Sequence, residues 1–332
     1  MRIGINTGDR YRTVFNEGAR AKLKGLGNLG AEPAPGQGMT PEDVMSSCRD
    51  AEVVVGTWGM QPFTPEILSA CPDLKLVVYA AGTVKYFVTD ELCEKGVTVC
   101  SAADINGRPV AEFVLGLILT TLKHVSSANR DLRLTGPDGW HSGKTRILGY
   151  FGSRIGLLGF GRITRMLIEF LKPFDLEVLV EDNYLSEDVA GALGVRKSTR
   201  EEIMGTCDVV SLHHADVPEH HGIINKHTLS LMKPGSVLIN TARGRLVVEE
   251  DLVEALKTRD LWAYLDVTHP EPPASGHPFY TLPNCVLTPH IAGSIGTEVE
   301  RMGNWAVNQV QAFTAGKTLE GIVDLTTLSS IA

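Results

Sequence analysis

The chain has 332 residues, room for two domains of ordinary size, and its 43% hydrophobic and 21% charged residues exclude a disordered or low-complexity polymer. A formal net charge of -8 argues against nucleic acid or an anionic membrane as partner, while leaving room for a small anion held by a few local arginines. Six cysteines (Cys48, Cys71, Cys93, Cys100, Cys207, Cys285) occur without a C-x-x-C pair, which makes neither a metal knuckle nor a disulfide framework and fits free thiols in a reducing cytoplasm.

Met1-Arg2-Ile3-Gly4-Ile5 opens straight into a strand-like run, without the apolar stretch of a signal peptide. No run of about 18 apolar residues is present, so no membrane span is expected. Apolar runs at 52–55 (EVVV) and 75–79 (KLVVY) end in turns, with helical patterns such as Thr64-Pro65-Glu66-Ile67-Leu68 between them. Strands alternating with helices predict parallel sheets covered on both faces. An apolar-periodic stretch from 106 to about 134 predicts a buried helix that links two domains or packs across a subunit interface. Gly136-Pro137-Asp138-Gly139-Trp140 breaks it, and a second strand–helix series runs from 154 to about 294. The last helix, near 298–315, carries Trp305, Val307, Val310 and Phe313 at helical spacing and is expected to return to the first domain.

Within the second series the run from Arg154 to Thr164 is the most informative. An apolar strand leads into Gly159-Phe160-Gly161-Arg162-Ile163 and then a helix, the context of a dinucleotide fingerprint. Gly159 permits a tight turn, Gly161 lets backbone approach a pyrophosphate, and the helix N-terminus offers amides and a positive dipole end. Thr164 stands where the fingerprint's third glycine belongs, which weakens the match; any tight strand–helix turn can use Gly-x-Gly. The next apolar strand ends in Glu181-Asp182. A carboxylate there accepts hydrogen bonds from a ribose and repels a 2′-phosphate, which points to NAD, with Asp182 as first choice and Glu181 as runner-up.

Three further strand ends bear chemistry: Asn240-Thr241-Ala242-Arg243, Asp266 with Glu271 five residues on, and Thr288-Pro289-His290-Ile291-Ala292-Gly293. Taken singly, each has a bland alternative. His290 caps a turn equally well, Arg243 serves as a surface ion-pair partner, and Glu271 is an ordinary loop acid. His213-His214 and His220-His221 suggest metal, but no carboxylate or cysteine is spaced with them as a ligand set, so no metal is expected.

The runs INTARGRLVVEEDLVEAL, YLDVTHPEP and LTPHIAGS resemble the signature blocks of the D-isomer-specific 2-hydroxyacid dehydrogenases, a likeness that reaches from about residue 75 to 305. The resemblance implies NAD as cofactor and a 2-keto or 2-hydroxy acid as substrate. It implies that Arg243 grips the substrate carboxylate, that His290 is the general acid/base with Glu271 as its carboxylate partner, and that Asp266 fixes the nicotinamide carboxamide. It further implies that Thr241, Ala242 and Gly293 line the cofactor, as do His213 and Ala215 through backbone contacts; the family usually has proline where Ala215 stands. On the substrate side, Ala81 and Gly82 resemble the loop whose amides meet the carboxylate. Trp58, after the EVVVG strand, either covers the substrate side chain or packs in a core.

The expected architecture is therefore α/β, with two Rossmann-like, doubly wound parallel-sheet domains and a cleft between them. A nucleotide domain at 104–300 is inserted into a discontinuous substrate domain at 1–103 plus 301–332. A cytoplasmic homodimer, through the helix at 109–125 and the Gly139-Trp140 arm, is expected, and the chain's end at Ala332 leaves no regulatory domain. The alternatives are an NAD(H)-sensing, corepressor-like protein, or a specialised dehydrogenase of formate or phosphite. Glu271, in place of an amide, argues against formate.

Overall fold

The apolar runs read from the sequence form the strands of two parallel sheets. The structure, a computed structural model, describes residues 1–142 and 149–328. Contacts between Cα atoms divide it into two units, Met1–Gly107 continued from Ser294 onward, and Arg108–Gly293.

In the first unit, β1 (Arg2–Ile5), β2 (Asn28–Leu29), β3 (Val53–Gly56), β4 (Leu76–Tyr79) and β5 (Thr98–Ser101) form one sheet in the order β2-β1-β3-β4-β5. All of its pairings are parallel. Parallel strands covered on both faces are apolar throughout rather than alternating, and Val53, Val54, Val55, Leu76, Val77 and Val78 are all sealed from solvent. Helix Val299–Thr314 closes this core with Met302, Ala306 and Val310.

The second unit holds β6 (Arg154–Leu158), β7 (Glu177–Glu181), β8 (Arg196–Lys197), β9 (Val209–Leu212), β10 (Val237–Asn240), β11 (Trp262–Leu265) and β12 (Cys285–Leu287), again all parallel. Their order is β12-β11-β10-β9-β6-β7-β8. Strand order reverses between β6 and β9, and such a switch point opens a crevice at the carboxyl ends of the strands, where ligands of open α/β sheets bind.

The long apolar stretch after residue 106 does not form one buried helix. It is two helices, Ala103–Leu122 and Val125–Thr135, separated at His124, whose φ of 51° is left-handed. The first buries Val110, Ala111, Val114, Ile118 and Leu122 in the core of the second unit. The second buries no residue, and Val125 and Leu134, which the helical repeat sets on opposite faces, are 50% and 79% exposed. Helix Ala103–Leu122 is long and apolar enough to cross a membrane by length and composition, although it carries Asp104, Arg108 and Glu112.

All six cysteines are free, four of them buried. Burial pushes Cys71 and Cys100 up to about 11, and Cys207 and Cys285 to about 12, so these thiols stay protonated.

Candidate active site

The glycine-rich turn follows directly from β6. Gly159 has φ +103°, and a Cβ there would lie 2.7 Å from the backbone nitrogen of His214, so both conformation and space require glycine. Gly161 is the N-cap of helix Arg162–Leu171 and lends no side chain to cap it; the space where its Cβ would stand is open to 4 Å. Such a helix N-terminus leaves first-turn amides for a ligand to satisfy. Thr164 fills the place of the third glycine without harm. It is fully buried, and its hydroxyl donates to the Gly159 carbonyl (2.7 Å), tying helix to turn.

At the tip of β7 the two carboxylates part company. Asp182 accepts from the backbone N–H of Phe160 through Oδ2 and from that of Tyr184 through Oδ1, both at 2.7 Å, which sets its carboxylate beside the turn. Glu181 is engaged internally: His214 Nε2 donates to it at 2.8 Å and Arg200 at 3.1 Å. Burial pushes its carboxyl up, but the hydrogen bonds and charges of His214 and Arg200 outweigh this and hold it below the usual range.

The same network accounts for the paired histidines. The rings of His214 and His220 lie 4.2 Å apart, His220 Nδ1 donates to the Ala215 carbonyl, and His221 pairs with Asp216. Burial, with His214 beside it, pushes His213 down to about 3, so its imidazole is neutral; its Nε2 is sealed from solvent without a partner. Among the described residues no group of three His, Cys, Asp or Glu side chains could hold a metal.

The chemistry-bearing residues lie at the carboxyl ends of the adjacent strands β10, β11 and β12. After β10, Asn240 accepts from Ala242 N and donates to the Arg243 carbonyl, a tight turn that presents Arg243. The Arg243 side chain donates to the Ala242 carbonyl (2.6 Å) and has no carboxylate partner among the described residues. Gly244 packs on the backbone of Thr268 and His269, where a Cβ would come within 2.1 Å of Thr268, so the arginine turn and the loop after β11 touch.

Asp266, only 3% exposed, accepts from Thr288 Oγ1 (2.6 Å), Ile291 N and Ala292 N (both 2.9 Å) and so organises the turn that carries His290. His290 sits in left-handed backbone (φ 54°), held by its N–H to the Asp266 carbonyl. Its Nδ1 donates to Glu271 Oε1 at 2.7 Å, and Nε2 has no partner among the described residues, on an imidazole half open to solvent. Gly293 ends this unit.

Ala81, Gly82 and Trp58, expected from the sequence to meet the substrate, all lie in the first unit. Thr57 Oγ1 donates to the Ala80 carbonyl (2.9 Å), joining the loop after β3 to the loop after β4. Ser101 Oγ donates to the carbonyls of Ala81 and Gly82 and fixes that loop. Trp58 is half-buried, packing against the core of the first unit, with the Arg10 guanidinium 5.5 Å from its ring.

The seven-stranded unit fits a dinucleotide: an open glycine turn at a helix N-terminus, a carboxylate beside it, and two sealed, unpartnered polar atoms at neighbouring strand ends, His213 Nε2 and Thr241 Oγ1. Fold and site thus define a dinucleotide-binding α/β protein. Residues 115–292 match the family described as D-isomer specific 2-hydroxyacid dehydrogenase, NAD binding domain. The D-3-phosphoglycerate dehydrogenase of Methanocaldococcus jannaschii is 29% identical over 87% of this chain, and the hydroxypyruvate reductase of Blautia hydrogenotrophica is 29% identical over 83%. The chain spans about half (54%) of the former but 86% of the latter. The TT0316 protein of Thermus thermophilus has the same fold, with a TM-score of 0.75 and 30% identity over 98% of this chain and all (100%) of that one. The chain belongs to the D-isomer-specific 2-hydroxyacid dehydrogenase family, and NAD is its cofactor.

Sequence reasoning missed Glu249, His277 and Tyr280, which hold the loop bearing Glu271. Their partners are distant in the chain and follow no periodic pattern.

Proposed function

We propose that the protein transfers a hydride between NAD(H) and C2 of a small 2-keto or 2-hydroxy acid of the D series. The observation that carries this reading is the His290–Glu271 hydrogen bond of 2.7 Å beside a dinucleotide fold, with His290 Nε2 left to reach a substrate oxygen. NADH, when bound, supplies the hydride.

Arg243 binds the substrate carboxylate with a guanidinium that no carboxylate neutralises among the described residues. In reduction His290 gives its Nε2 proton to the keto oxygen as C2 gains the hydride, becoming neutral, and Glu271 holds the ring through Nδ1 in both states. In oxidation His290 takes that proton back. Asp266 spends three hydrogen bonds on the His290 turn, and a carboxylate has about four acceptor directions, so one remains for the nicotinamide carboxamide. Asp182 takes the ribose hydroxyls, since Glu181 is committed to His214 and Arg200. The first-turn amides after Gly161, with His213, Ala215, Thr241, Ala242 and Gly293, line the rest of the cofactor. Ala81, Gly82 and Trp58 meet the substrate. A homodimer forms through the helix at 109–125 and the Gly139-Trp140 arm, whose Trp140 is exposed.

The test is oxidation of NADH, followed by absorbance, with glyoxylate, hydroxypyruvate, pyruvate, phenylpyruvate and 3-phosphohydroxypyruvate, repeated with NADPH. Turnover of at least one keto acid is expected, with NADH preferred over NADPH and that preference eroded in Asp182→Ala. Silence across the panel while NADH binds would refute the reaction. Unchanged discrimination in Asp182→Ala would remove that residue from the ribose site.

A further inference from the structure

The loop Thr268–Pro273 carries Glu271 toward His290, and both of its ends are held from outside the chemistry. At its start, Glu249, the first residue of helix Glu249–Thr258, accepts from the His269 backbone N–H at 2.7 Å. Gly244 supports the same point from beneath, with no room for a Cβ between it and Thr268. At its far end the Tyr280 hydroxyl donates to the Pro273 carbonyl at 3.1 Å.

The two anchors are joined. His277 Nδ1 accepts from Phe279 N (3.3 Å), fixing the short turn Pro278–Tyr280 that carries Tyr280, while His277 Nε2 lies 3.6 Å from Glu249 Oε2. Phe279, 2% exposed, packs edge-on against the His277 ring at 4.4 Å and locks its orientation. A carboxylate at this place is costly, since burial pushes Glu249 above its ordinary range despite the His269 hydrogen bond, and solvation does not explain its position. Glu271 itself is 42% exposed at the side chain, with His290 as its only side-chain partner among the described residues. Its place is therefore set by where the loop ends are tied.

We propose that Glu249, His277 and Tyr280 form a bracket of positioning residues that holds Glu271 against His290. The inference rests on the acid/base roles assigned above to His290 and Glu271. None of the three touches the reacting atoms; each acts through the loop. A carboxylate displaced by about 1 Å from its partner costs on the order of 100-fold in rate, so loss of one anchor should show in turnover and not in cofactor binding.

The test combines kinetics with a double-mutant cycle, using NADH and hydroxypyruvate. Glu249→Ala should lower kcat about 10- to 100-fold with the NADH dissociation constant unchanged. Glu249→Gln, which keeps an acceptor for His269 N–H, should recover most of that loss. Tyr280→Phe alters a half-exposed residue that does not threaten folding, and should lower kcat about 3- to 10-fold. In a Glu271→Gln background, Glu249→Ala should add little, because residues acting through one contact are not additive.

The imidazole ¹H–¹⁵N NMR signals of His290 supply a reading independent of turnover: Glu249→Ala should shift them as Glu271→Gln does. Wild-type kcat in both Glu249→Ala and Tyr280→Phe, an equal loss with and without Glu271, or unmoved His290 signals would overturn the bracket. Full activity of Glu271→Gln would instead overturn the acid/base reading beneath it, and the bracket with it.

Discussion

Adjacent carboxylates at one strand tip can have opposite fates. Glu181 and Asp182 follow each other at the end of β7, yet only Glu181 is drawn into a half-buried ion-pair network with His214 and Arg200. Asp182 keeps to the backbone of the glycine turn. The difference follows from strand alternation, which sends successive side chains to opposite faces. Because Glu181 is held below its usual value of 4.5, its contribution to stability is fully present above that pH. It is lost as pH falls through the lower folded value. Glu181→Gln should therefore unfold more easily at pH 7, by about 2 kcal/mol, the scale of hydrogen bonds to a charged group. The gap should close as pH drops below 4.5. Thermal melts of both proteins across that range are the check; a gap that persists in acid would mean the Glu181 charge is not its source.

At the level of elements, what was legible in the sequence was what is local and periodic. The glycine turn, the strand-tip carboxylates and the three chemistry-bearing strand ends are short patterns in which neighbours in sequence are neighbours in space. Thr164 was readable as a gap in the fingerprint, but not its hydroxyl's bond to the Gly159 carbonyl, which needs the helix to be placed first. The paired histidines were illegible for the same reason, since His214 finds Glu181 33 residues away and His220 finds the Ala215 carbonyl. Glu249 and His269 are 20 residues apart in different elements, and no spacing rule joins them.

The apolar stretch after residue 106 misled because periodicity does not reveal the left-handed His124 that divides it. The dimer reading stands on the helix at 109–125 and the Gly139-Trp140 arm, where Trp140 is 58% exposed. Light scattering should give about twice the chain mass of 35.9 kDa, falling to one chain in Trp140→Asp. A monomeric wild type would contradict the dimer.

In the whole molecule, the residues proposed to meet the cofactor lie at the carboxyl ends of the seven-stranded sheet, and those proposed to meet the substrate follow β3 and β4 of the five-stranded one. Both edges are products of the same rule, a parallel sheet sealed on both faces and open at the strand ends. The family match covers residues 115–292 of the second unit and none of the loops after β3 and β4. Central to the account is that His290, paired with Glu271, moves the proton while the cofactor site stands independent of it.

The most direct measurement is kcat for NADH-dependent reduction of the best keto acid in wild type and His290→Ala, with the NADH dissociation constant taken by fluorescence in parallel. The account predicts a loss of about 100- to 10,000-fold in kcat, the scale of a general acid, with NADH binding unchanged. A His290→Ala enzyme that turns over at the wild-type rate would contradict it.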